Sequence, residues 1–260
     1  MASPTFRRHT RVAASAWAVA LLATSGPAAA ADIYVLSTPA MQSVLKEIVG
    51  DFERMSGHKV VIRYATMGLI TRTLPDESAD LVISSRQSIS DLVRQGRMRP
   101  DSQLTICKTG VGVVVPSDTP KPAMTSVEDF KRALLSSRIV LYANPAGGDA
   151  AGVHVARAIE QLGIAEQVKA KTKFGAGGDI TEVTLAEGSG ALGITQVSEI
   201  VGKAGATFVG PLPNELQNYT VVSAGIPRDA PQSEAVSAFM ASLYSAKAVA
   251  AIKAKGMEVD

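Results

Sequence analysis

From residue 32 onward the chain alternates short β-branched runs with longer stretches whose apolar residues recur every three or four positions. Asp32–Ser37 (DIYVLS) predicts a strand, and Met41–Met55 a helix with Val44, Leu45, Ile48, Val49 and Phe52 on one face. Lys59–Tyr64 (KVVIRY) predicts a second strand, followed by a short helix at Gly68–Leu74 stopped by Pro75. Asp80–Ser84 reads as a buried strand and Ser88–Gln95 as a helix ended by Gly96. A long apolar run, Lys108–Val115 (KTGVGVVV), then enters the proline-bounded stretch Pro116–Pro120.

A second set follows. Helices are expected at 126–135, 150–162 and 179–187, and strands at 138–142, 168–173 and 191–195. Gly210–Asn214 (GPLPN) punctuates the chain before a strand at Tyr219–Ser223, and helices at about 231–245 and 246–255 close it. Strands alternating with helices argue an α/β protein with helices on both faces of its sheets. Two such sets, with the C-terminal piece returning to the first, fit two lobes.

Length and composition agree: 260 residues, 46% hydrophobic and 19% charged, make one large domain or two small ones. A single cysteine, Cys107, excludes an intramolecular disulfide and a cysteine-rich zinc site. Three histidines leave little for a histidine-based metal centre, so no metal and no cofactor is expected.

The net charge of +2 is set by the N-terminus. Arg7, Arg8 and Arg11 precede an apolar run from Val12 to Leu22, the breaker pair Gly26-Pro27 and the small residues Ala28–Ala31. That order is a secretory signal peptide over residues 1–30, with cleavage near Ala30 or Ala31 and a periplasmic destination. The run is shorter than the about 20 residues a membrane-spanning helix needs. Without residues 1–30 the chain has 23 basic and 24 acidic side chains. A near-neutral exported protein lacks the basic face that nucleic-acid binding requires.

Enzyme motifs are missing: no G-x-S-x-G elbow, no P-loop and no H-E-x-x-H. Cys107, in the apolar run LTIC, is expected to be a buried structural thiol, and His58 a solvated strand end. Glu128 and Asp129 fall at a predicted helix start, where they complement the dipole. The junctions from strand to helix carry more information, because open α/β sheets bind ligands at the carboxyl ends of their strands. Ser37-Thr38-Pro39-Ala40, Thr66-Met67-Gly68 and Ser84-Ser85-Arg86 lie in the first set. Asn144–Gly152 and Gly175–Asp179 lie in the second. Small residues and hydroxyls there suit turn and capping chemistry, with Asp149 and Asp179 as N-caps, and equally suit an anion held by backbone N–H groups.

The chain resembles the type II periplasmic substrate-binding proteins of the branch related to molybdate-binding proteins. IYVLSTPAM, LKEIVGDFERMSG, SADLVISS, GVGVVVP, GVHVARAIEQLGI and GSGALGITQVSEI carry the resemblance, in that order, over some 230 residues. It implies a clamshell in which each lobe is a mixed sheet flanked by helices, joined by two crossover strands. Lobe 1 would comprise residues 31–113 with 220–260, and lobe 2 residues 114–219. It also implies a monomer that passes its solute to an ABC permease, with no catalysis.

In that branch the oxyanion ligands include a serine after the first strand, a serine after the second and a tyrosine after the L-G-I strand. Ala40, Met67 or Gly68, and Gln196 stand there in this chain. Each lost hydroxyl leaves a ligand oxygen unpaired at roughly 1–3 kcal/mol. A small organic carboxylate is therefore favoured over molybdate, with Arg86 as a bidentate partner and His154 as a second donor. The expected site is Ser37, Thr38, Ala40, Met67, Gly68, Ser85, Arg86, Gly147, Gly148, Asp149, Ala150, His154, Gly178 and Gln196. A molybdate- or tungstate-type oxyanion, an exported lyase-like enzyme on the same fold and a sensory ligand-binding subunit remain the alternatives.

Overall fold

The computed structural model describes residues 30–74, 78–231 and 233–259. The predicted signal peptide lies almost wholly outside the described residues. In chain order the strands are β1 (Asp32–Ser37), β2 (Lys59–Tyr64), β3 (Leu81–Ser85), β4 (Leu104–Pro116), β5 (Ile139–Ala143), β6 (Thr172–Gly175), β7 (Ala191–Gln196), β8 (Ala206–Pro211) and β9 (Tyr219–Gly225). The helices are α1 (Gln42–Ser56), α2 (Met67–Thr73), α3 (Arg86–Arg94), α4 (Val127–Ser136), α5 (Ala150–Gln161), α6 (Ala165–Lys169), α7 (Ile180–Glu187), α8 (Glu234–Ser242) and α9 (Ala246–Ala254). No single described helix is long and apolar enough to cross a membrane.

The strands run in the order β2-β1-β3-β9-β4-β7-β5-β6, with β8 added on β4. Pairing is parallel among β1, β2 and β3 and among β5, β6 and β7, while β4 and β9 run antiparallel to their neighbours. Thirteen residues long, β4 serves both halves. Leu104–Gly110 pairs with β9, and Val111–Pro116 lies between β7 and β8.

Each half buries both faces of its sheet, because alternate strand residues point to opposite sides. In the first half, Leu81 and Ile83 of β3 face α1, α8 and α9 in a core with Phe52 and Phe239, whereas Val82 faces Ile70 of α2 and Ile89 of α3. In the second, Val140 and Tyr142 of β5 face α4, α5 and α6 around Phe130, and Leu141 and Ala143 face α7. The apolar spacing read along Met41–Met55 matches α1, whose buried face is Val44, Leu45, Ile48 and Phe52.

Two elements differ from the sequence reading. The stretch 168–173 is not one strand: α6 ends at Lys169 and β6 starts at Thr172, with Val168 buried from the helix side. β8 was not anticipated, since ATFVGP has neither clean alternation nor two buried faces and pairs only along β4. His58 is buried rather than solvated, its Nδ1 accepting from the Ala31 N–H at 3.2 Å. Cys107 is buried against the sulfurs of Met41 and Met257, and burial pushes its thiol up to about 12.

Two cores imply two comparable sensitivities. Phe130→Ala and Phe239→Ala are each expected to cost about 3–5 kcal/mol in urea unfolding followed by circular dichroism. A cost below about 1 kcal/mol at either position would contradict the core assignment there.

Candidate functional site

The carboxyl ends of the parallel strands in both halves face one another, and those of β1, β2, β3 and β5 lead into side-chain-capped turns. Thr38 accepts from the Ala40 N–H at 3.2 Å, Thr66 from Leu69 at 3.3 Å, Ser85 from Ser88 at 3.0 Å and Asp149 from Gly152 at 2.8 Å. A side-chain oxygen at a helix start satisfies a backbone N–H that has no partner inside the helix. Asp179 behaves differently. It makes no cap to α7 but accepts from the N–H groups of Ala176 and Gly177 in the turn before it.

The halves touch directly. The Thr66 hydroxyl donates to the Gly147 carbonyl at 2.8 Å, and the Gly68 N–H to the Gly148 carbonyl at 3.1 Å. A Cβ on Gly148 would stand 2.6 Å from the Gly68 Cα, and one on Gly178 2.5 Å from the Pro39 Cβ. Behind them, the Ser43 hydroxyl reaches the Ser198 carbonyl at 3.5 Å.

Beside this contact lies a cavity of about 360 Å3 lined from both halves. Met67, Ser85, Arg86, Gln87 and Ser90 face Ala150 across it, and Tyr219, Thr220 and Val221 of β9 form the rest of the wall. One guanidinium and no carboxylate therefore line it. Arg86 donates through Nη2 to the Thr105 hydroxyl at 2.8 Å, a bond that orients a group with five N–H donors. Tyr219 is half exposed, with the Lys108 ammonium 5.4 Å from its ring centroid. Gln196 is buried behind the wall; its Nε2 donates to the Thr220 hydroxyl at 3.1 Å and its Oε1 has no partner. A roomier cavity of about 550 Å3, lined by Tyr34, Asp80, Arg97 and Asp229, belongs to the first half alone.

Of the residues expected at the site, Met67, Ser85, Arg86 and Ala150 come together around this cavity, with Gln196 behind Thr220. Gly68, Gly147 and Gly148 instead join the halves: the Gly68 N–H, expected to be free for a ligand, already has an acceptor. Gly178 packs on Pro39. Ser37 is fully buried with its hydroxyl on the Thr38 carbonyl, and Thr38 and Ala40 are buried in the adjoining turn. His154 is diverted from the role expected of it: its Nε2 lies 2.6 Å from the Leu216 carbonyl, tying α5 to the turn before β9. Tyr219, Thr220, Gln87 and Ser90 were not foreseen. Tyr219 and Thr220 were legible only as the start of a strand, because the pairing that brings β9 to the cavity joins residues more than 100 positions apart.

Two buried carboxyl groups stand on the second half near the join. Glu199, in the 3-10 turn after β7, is pushed up to about 8, first by burial and then by the neighbouring charge of Asp149, against the Thr195 hydroxyl bond. Asp149 is also raised, by burial first, while the Gly152 and Ala151 N–H groups pull it down and Asp179 adds to the rise. Among the described residues, no group of three or more His, Cys, Asp or Glu is placed to hold a metal ion.

The Glu199 shift has a definite sign. An unfolded chain releases this proton near 4.5 and the folded one near 8, so the stabilising contribution is complete below pH 4.5 and is lost as pH rises to about 8. Glu199→Gln, which keeps a neutral side chain throughout, is expected to abolish that decline. The urea midpoint of the parent should fall relative to the variant between pH 5 and pH 8, and parallel curves would contradict a protonated Glu199.

Comparison with known proteins places this geometry. Residues 33–258 match the model of the bacterial extracellular solute-binding protein family. The chain is 27% identical over 250 residues to an aconitate isomerase of a Pseudomonas species, covering 92% of this chain and 94% of that protein. In structure it is similar to the periplasmic molybdate-binding protein of Azotobacter vinelandii, with a TM-score of 0.73, 20% identity and coverage of 88% and 99%. It is also similar to the sulfate-binding protein of Mycobacterium tuberculosis, with a TM-score of 0.70, 18% identity and 88% of each chain covered. The fold is that of the type II periplasmic binding proteins, as the sequence motifs implied. With the match running over nearly all the described residues, the chain belongs to the bacterial extracellular solute-binding proteins.

Proposed function

We propose that the protein is the exported receptor of an ABC uptake system and holds a small organic carboxylate in the 360 Å3 cavity between its halves. The observation that carries this reading is a cavity lined from both halves with a single cation, Arg86, beside neutral hydroxyl and amide groups. A carboxylate accepts two parallel N–H bonds from a guanidinium, a geometry that a tetrahedral oxyanion held by hydroxyls does not need. The volume falls at the lower end of the about 300–1,000 Å3 common for organic ligands. By the resemblance, Ala40, Met67 or Gly68, and Gln196 would stand where the molybdate-binding branch carries hydroxyls, which also speaks against an inorganic oxyanion. A tricarboxylate substrate in the name of the relative matched nearly end to end supports the same class.

In this reading residues 31–113 with 220–260 form one lobe and 114–219 the other, as read from the sequence. The turning point, however, falls where β4 changes partners at Gly110–Val111 and where the chain enters β9 at Tyr219, because Val111 and Val113 pair with β7 and pack in the second core. Closure adds contacts from the second lobe and expels water, so the solute shifts the balance by its greater affinity for the closed form. The closed form then docks transiently, as a monomer, on a membrane permease. Residues 1–30 would direct export and be removed.

A second reading, that the solute is also converted, is favoured by the same relative's name. Incubation with either isomer of aconitate, followed by proton NMR, separates the two. Appearance of the other isomer beyond the buffer rate would establish turnover.

Binding itself is tested by thermal shift of the mature protein with mono-, di- and tricarboxylates beside molybdate, tungstate and sulfate. A carboxylate is expected to raise the melting temperature by mass action. A response to molybdate with none to any carboxylate would overturn the assignment. Arg86→Ala is expected to weaken the responding carboxylate roughly ten- to hundredfold by calorimetry, the equivalent of about 1.5–3 kcal/mol for a charge-assisted bond. An unchanged affinity would remove Arg86 from the site.

A further inference from the structure

We propose that the two halves carry their own latch, in which the turn Thr66–Gly68 docks on the turn Gly147–Gly148 and holds the cleft shut in a fraction of molecules that contain no solute. This rests on the reading of the protein as a two-lobed clamp, though not on which solute the clamp takes.

The contact pairs groups that each half leaves over. α2 begins at Met67, so the Gly68 N–H has no acceptor within its own helix. Its neighbours are satisfied at home: Leu69 donates to the Thr66 hydroxyl and Ile70 to the Thr66 carbonyl. The Gly68 N–H donates instead to the Gly148 carbonyl across the cleft. Thr66 does double duty, its oxygen accepting from Leu69 while its proton goes to the Gly147 carbonyl. Those two carbonyls sit at the end of the 3-10 turn Pro145–Gly147, where a left-handed Gly148 with φ of 71° ends the turn. Helix-start donors on one half thus meet turn-end acceptors on the other, and no ligand atom is needed to join them.

Only glycine permits the approach. A Cβ on Gly68 would lie 2.8 Å from both the Gly147 oxygen and the Gly148 Cα, which are backbone atoms of the opposite half and cannot swing aside. A receptor with a closed fraction before binding also binds its solute more tightly, because apparent affinity scales with the population of the competent form.

Gly68→Ala tests the latch cleanly. Gly68 has no left-handed φ, and alanine favours a helix over glycine, so α2 is not weakened. The added methyl obstructs only the closed form. Gly148→Ala is a poorer probe because its positive φ strains the turn itself. Spin labels at Met55→Cys on α1 and Leu135→Cys on α4, both exposed, report the separation of the halves, and the native Cys107 is buried. The mature protein is freed of co-purified solute by unfolding and refolding, and native mass spectrometry verifies that it is empty.

The empty parent is expected to show a short inter-label distance beside a longer one. Gly68→Ala should reduce the short population about tenfold or more at an unlowered melting temperature, and Thr66→Val should reduce it less. A single long distance in the empty parent, or a short population untouched by Gly68→Ala, would overturn the latch. Because no solute is present, failure of the carboxylate panel leaves this result standing. A successful panel with a failed distance measurement removes the latch alone.

Discussion

One strand belongs to two sheets, and most of the molecule follows from that. Backbone N–H and C=O groups inside a protein must be paired. β4 satisfies this by pairing its first seven residues with β9 and its last six with β7 and β8. Each partner set carries its own helices and its own core. The closing turns of the two sets meet beside the shared strand, Thr66–Gly68 on Gly147–Gly148 and Pro39 on Gly178. A cleft there is a consequence of the pairing rather than a separate feature.

The same pairing decides where charge can go. Capping turns at the strand ends bring backbone donors to the cleft, and Arg86 adds the one cation that lines its cavity. On the second half, behind the join, Asp149 and Glu199 are buried and held above the ordinary carboxylate range, chiefly by desolvation. A protonated Glu199 adds no negative charge near the join. His154, which looks like a donor in the sequence, is withdrawn from the cleft by the Leu216 carbonyl. Polarity in the cleft is thus set as much by groups removed from it as by groups placed in it.

The likeness to molybdate- and sulfate-binding proteins is one of fold, at 20% and 18% identity. Similar scaffolds accept different ligands because the strand ends are held by the sheets while the turns between them are free to change.

Much of the architecture was written in local pattern. The 3/4 spacing of α1, the unbroken apolar runs of β3 and β5, and the cap at Asp149 involve residues close in sequence, so periodicity and residue type reveal them, whereas Asp179, read as a cap on the same grounds, turns back to Ala176 and Gly177. Motif order pointed to two lobes for the same reason. β8 escaped because it depends on β4 for its partner, and α6 because five residues carry too little period to distinguish helix from strand. Of the strand-to-helix junctions read from the sequence, Met67, Ser85, Arg86 and Ala150 line the cavity between the halves, but local pattern could not tell that the Gly68 amide faces the opposite turn. That distinction, the arrival of Tyr219 and Thr220 through β9, and the loss of His154 to Leu216 are contacts across long stretches of chain. They form only when the sheets assemble, so tertiary structure alone decided them.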